Sequence, residues 1–95
     1  MAKAEYVKMF LLLDETQTTG PVIEIDITGP HVIFVAQSIA KIELQILNPA
    51  AKTETWTKIH EFADAEAAEQ IYLIRGNSIR ATTSSAGARI ALDRP

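Results

Sequence analysis

The chain has 95 residues, with Lys plus Arg at 9 and Asp plus Glu at 12, for a net charge of −3. That length holds one domain around one core, and its acidic balance argues against the basic footprint of a nucleic-acid binder. Cysteine is absent, which excludes disulfides, thiolate metal sites and a cysteine nucleophile, while 47% hydrophobic and 22% charged residues are the composition of a globular domain.

The first apolar run, Met9 to Leu13, is followed by Asp14-Glu15. It is shorter than the roughly 7–15 residues of a signal-peptide core, and nothing approaches the roughly 18 apolar residues of a membrane span. No targeting or membrane segment is expected. Tyr6 to Leu13 is predicted as a front strand or arm. Asp14 to Gly20 (DETQTTG) is the most linker-like stretch. The expected division is therefore an N-terminal arm or edge strand with linker over 1–20 and a β-domain over 21–95.

From Val22 to Ile27 isoleucines hold the odd positions and acids two of the even ones, the period of a strand with one dry face. Gly29-Pro30 breaks the run. His31 to Ala36 is apolar on both faces, as a strand buried in a two-layer core would be. Ile39 to Leu47 alternates again, and Asn48-Pro49 stops it because proline cannot donate to a ladder. Thr55 to Phe62 is the next strand, with Trp56 expected as a large filler between sheets. Ala63 to Glu69 (ADAEAAE) favours a helix by composition but is short, so a loop with one helical turn is expected. Gln70 to Ile74, Ser78 to Thr83 and Ala88 to Leu92 complete the set, with a turn at Arg75-Gly76-Asn77 and a hairpin loop at Ser84 to Gly87.

Seven or eight short strands without a long helical period predict an all-β fold. The expected architecture is an antiparallel β-sandwich, jelly-roll or immunoglobulin-like, with a small closed barrel as the alternative. The stock of twelve Ile, seven Leu and four Val against six aromatics suits a pleated, half-buried surface.

Residues that carry chemistry are sparse. His31 and His60 have no second ligand at useful spacing, so the expected reading is a partly exposed histidine with an ordinary hydrogen bond. Glu24 and Asp26 share a strand face about 6.6–6.8 Å apart, a spacing open to glycoside cleavage but common on any wet strand face. Ser84-Ser85 lacks a Gly-x-Ser-x-Gly elbow, and the glycines are isolated turn markers, not a phosphate cradle. Arg80 and Arg89, on strands expected to be neighbours, could form a small basic strip. No catalytic residue, cofactor or metal is predicted, and the chain is read as not an enzyme.

From Trp56 onward the order is a Trp-bearing strand, a small-residue loop, Ile71-Tyr72-Leu73, a Gly turn, Ile79-Arg80-Ala81, Ser-Ser-Ala-Gly and Ala88 to Leu92. This order resembles a β-sandwich module of small bacteriophage virion proteins, over about residues 22 to 92. The resemblance implies a virion structural protein made in the host cytoplasm. The capsid decoration (cement) type would bind and stabilise the phage head, with the major capsid protein or other virion proteins as partners. It also implies a homo-oligomer, with a trimer favoured. A tail, head-tail connector or fibre-adaptor subunit is the alternative, and a small carbohydrate-binding module using Trp56 a further one. Contact residues are expected on the arm (Tyr6, Val7, Met9, Phe10, Leu11, Leu12, Leu13), at His31, Arg75 and Asn77 on loop tips, and at Arg80 and Arg89.

Overall fold

A computed structural model describes residues 9–37, 40–62 and 67–95. Its strands are β1 (Met9–Leu13), β2 (Ile23–Glu24), β3 (Gly29–Gln37), β4 (Ile42–Leu47), β5 (Trp56–Phe62), β6 (Ala67–Leu73), β7 (Ser78–Thr83) and β8 (Arg89–Asp93). The described residues form no helix. Two four-stranded antiparallel sheets run in the orders β1-β8-β3-β6 and β2-β7-β4-β5. Only β4 and β5 are both consecutive and paired; every other connection crosses from one sheet to the other. That connectivity is the jelly roll of two interleaved Greek keys, not the immunoglobulin arrangement.

The sheets close on one core. From the first sheet come Leu12, Leu13, Ile33, Val35, Leu73, Ile90 and Leu92; from the second come Ile42, Leu44, Phe62, Ile79 and Ala81. Alternation sets this: in β3 the residues His31, Ile33 and Val35 point inward while Val32, Phe34 and Ala36 point outward. A register shift between Leu11 and Leu13 places both Leu12 and Leu13 inside, as a β-bulge does when it adds one residue to a strand. Each such aliphatic side chain contributes about 1.5–3 kcal/mol by leaving water.

Several expectations give way to tertiary pairing. The strand expected over Val22 to Ile27 is two residues long, because Ile25 turns into the core and its amide donates to the Asn77 carbonyl. Ala67, Ala68 and Glu69 are extended in β6, opposite Val35, Phe34 and Ile33, so ladder pairing overrides their helical propensity. The rest of that expected helical turn, 63–66, lies outside the described residues, as do Tyr6, Val7 and Ile39. Ser84 to Gly87 is not a hairpin loop but a crossing between sheets, since β7 and β8 belong to different ones. The linker-like Asp14 to Gly20 is pinned: Asp14 accepts from the Thr16 amide and hydroxyl, the Thr83 amide donates to Thr18, and the Gly20 amide donates to Ala81. Trp56 is not the filler between sheets; Phe62 is the buried aromatic, and Trp56 lies half-buried outside the core. His31 is wholly enclosed, not partly exposed.

Candidate interaction face

The two sheets present opposite chemistry to solvent. On the surface of the second sheet charged and polar groups are tied to one another, with Ile59 of β5 exposed among them. Glu61 takes Lys58 at 3.0 Å and Lys41 at 3.5 Å. The Gln45 amide donates to Glu43 at 3.1 Å, and Arg80 Nε donates to Gln45 at 2.7 Å. The Lys58 hydrogen bond, and its charge after it, hold the Glu61 carboxyl below its ordinary value and lift the Lys58 ammonium above its own.

Outside the first sheet the side chains are mostly apolar. Register aligns Leu11 with Ala91, Ala91 with Phe34, and Phe34 with Ala68, one row across all four strands. Leu11 and Phe34 are each 39% exposed. One step along, Asp93 aligns with Val32 and Val32 with Gln70; beyond them Pro30 aligns with Tyr72, which is 66% exposed. At the opposite end Arg89 pairs with Glu15 at 3.0 Å, so an ion pair borders the apolar centre. The Asp93 Oδ1 atom is enclosed and accepts no hydrogen bond. An apolar centre with a polar border is the anatomy of a protein–protein contact surface.

The sequence-predicted contact residues do not form one patch. Leu11 lies on this face, Phe10 packs half-buried against the core, and Met9 pairs with Asp93 in β1. Leu12, Leu13 and His31 are fully buried and offer a partner no surface. Tyr6 and Val7 lie outside the described residues. Arg75 and Asn77 sit in the turn from β6 to β7, where the Arg75 amide donates to Thr28 Oγ1 and Asn77 Oδ1 accepts from the Ile74 amide, each at 2.9 Å. Arg80 and Arg89 point out of different sheets, so no basic strip forms. Phe34, Val32, Ala68, Tyr72 and Ala91 are the residues that sequence reasoning missed. Their signal was the apolar stretch His31 to Ala36, expected as a buried strand: only His31, Ile33 and Val35 are buried, and Phe34 and Ala36 face out, because a two-layer fold leaves one face of each sheet bare.

Other places on the molecule offer less. Glu24, Ile25, Asp26, Arg75 and Gly76 line a shallow depression of about 290 Å³ at one end of the sandwich. Asp26 is already engaged there by Arg94. His31 Nδ1 donates to the Gly29 carbonyl at 2.9 Å, and its Nε2 is enclosed without a partner. Among the described residues no group of three or more His, Asp or Glu side chains could hold a metal ion. Trp56 is covered on one ring face by the Arg80 guanidinium, 4.3 Å from the ring centre, and its Nε1 donates to Glu54 at 3.1 Å. That leaves less of the ring free for stacking on a sugar.

The chain matches no family model, no curated protein and no solved structure.

Proposed function

We propose that this protein acts by binding other protein subunits, as a non-enzymatic structural component of a virion, with capsid decoration as its specific role. The observation that carries the reading is the apolar outer face of the first sheet, set against a second sheet whose surface is mostly charged and polar, with Ile59 its exposed apolar residue. Such a patch marks a contact surface; the other exposed large apolar side chains, Val22, Ile27, Ile59 and Ile74, lie outside its four-strand row. The order of strands and residues over 22–92, similar to small phage virion proteins, supports the virion setting. Jelly rolls host capsid subunits and lectins alike, so the fold alone does not choose between them.

The test adds the purified chain to expanded shells that lack it and compares them by negative staining and by resistance to heat. Decoration adds regular surface density and raises the temperature at which shells break. Unchanged texture and unchanged strength would remove the reading, and a few copies per particle at a vertex or tail would move the protein to the connector class.

A further inference from the structure

We infer that the outer face of the first sheet pairs with the same face of a second copy of this chain, about a two-fold axis running along the strands between β8 and β3. The inference rests on the reading of that face as an assembly surface and goes further by naming its occupant.

The argument lies in the order of side chains across the sheet. The row Leu11, Ala91, Phe34, Ala68 alternates large, small, large, small over the strand order β1-β8-β3-β6. Reversed, the row reads small, large, small, large, so it is the complement of itself. A two-fold axis along the strands performs that reversal: β3 of one copy lies over β8 of the other, and β1 over β6. Phe34 then stands over the second copy's Ala91, and Leu11 over its Ala68. Large side chains meet gaps at every position of the row, as interdigitating sheets about 10 Å apart require. A pattern complementary to itself specifies a copy of the same chain more narrowly than it specifies a foreign surface.

Size agrees. Strands about 4.8 Å apart with a rise near 3.3 Å per residue give a face of roughly 19 by 20 Å. Two such faces amount to roughly 760 Å² in projection, at the small end of the range, where weak and transient pairs fall. Asp93 is the opposing element: in this arrangement it faces the second copy's Val32. A weak, concentration-dependent dimer follows. Flat faces that meet each other close at two copies, whereas a three-fold ring needs two different surfaces, so this face makes pairs and not the trimer that the phage resemblance implies.

Sedimentation of the purified chain from micromolar to near-millimolar concentration tests this. The expected result is a mass rising toward twice the 10.4 kDa of one chain. Phe34→Lys alone and Ala91→Glu alone each weaken association at least tenfold. Mixing the two variants restores it, because each mixed pair places the introduced lysine of one copy over the introduced glutamate of the other at one of its two equivalent contacts. A variant that only damaged the fold would show no such rescue, and Phe34→Ala, which removes the large side chain from an exposed site, gives a second reading of the same loss. A monomer at all concentrations, a trimer, or a mixture that fails to re-associate would each overturn the pairing. A chain that is monomeric yet decorates shells would refute the pair and leave the assembly reading intact; a monomer that binds no shell would remove both. Dimerisation that emerges only after deletion of residues 1–8 would assign the face to the chain's own N-terminal segment and overturn the proposal.

Discussion

Arg80 lies over the ring of Trp56 on the outside of the second sheet, with its guanidinium carbon 4.3 Å from the ring centre and its Nε donating to Gln45 at 2.7 Å. The contact joins β7 to the start of β5 across β4, because Gln45 and Arg80 are register partners and Leu47 pairs with Trp56. Trp56 is the sole tryptophan. Arg80→Ala therefore has an optical readout: the emission maximum shifts to the red as water reaches the ring. Stability falls by about 1 kcal/mol from the lost cation–π contact and hydrogen bond. Arg80→Lys keeps the charge but not the planar fork, and restores less than half of that loss. Unchanged emission in Arg80→Ala would show that the stacking is absent in solution.

Two glycines separate crowding from backbone conformation. A Cβ on Gly20 would lie 1.7 Å from the Leu12 carbonyl oxygen, where the chain leaving β1 folds back on the buried bulge. Gly76 has φ of +96° and open space around it. Gly20→Ala is expected to cost more than about 3 kcal/mol, since backbone rather than a flexible side chain must move, and Gly76→Ala about 1 kcal/mol from conformation alone. Chemical denaturation of both variants checks the order. Equal losses would show that the segment before β2 is not held against β1.

Acid sensitivity follows from Glu61. The hydrogen bond from Lys58, then the Lys58 and Lys41 charges, lower its folded value below the ordinary 4.5. A depressed carboxyl contributes stability above its unfolded value and loses it as pH falls through the folded one. Asp14, lowered chiefly by the Thr16 hydroxyl, has the same sign. Lys58 is raised above its ordinary 10.5, so its share is present below that value and lost in strong base. These groups lie at the surface, so the effect is small and weakens with salt. Glu61→Gln should flatten the decline in melting temperature below pH 4.5 and leave the neutral melting temperature within a degree or so of wild type. A steeper acid decline in that variant would reverse the assignment.

The period-two runs made the all-β fold legible, because alternation depends only on which face is wet. The choice of jelly roll over immunoglobulin fold was not legible. It rests on which strands pair, and six of the seven connections between eight strands cross between sheets. Ala67 to Glu69 misled because alanine and glutamate favour a helix locally, while the β3 edge they pair with is remote in sequence. Arg80 and Arg89 misled for a related reason: nine residues apart, they look adjacent, yet the crossing at Ser84 to Gly87 sends them to opposite outer faces. Phe34 carried the clearest overlooked signal, since a large aromatic at an outward position of a central strand leaves that face apolar.

Asp93 is the residue whose removal should improve the protein. It stands on the apolar face between Val32 of β3 and the edge strand β1, and its Oδ1 is enclosed with no donor. An enclosed acceptor without a partner costs about 1–3 kcal/mol. Asp93→Val replaces it with a β-branched side chain that suits the pleat and abuts Val32. The expected gain is about 1 kcal/mol in the unfolding of the single chain. Association tightens as well, by about tenfold, because two like charges no longer approach across the two-fold axis. Asp93→Asn, which removes the charge and keeps the polar atoms, should tighten association less. Denaturation at low concentration isolates the first effect and sedimentation the second. A loss of stability in Asp93→Val would mean that the carboxylate is partnered in solution and that the face is more polar than its register implies.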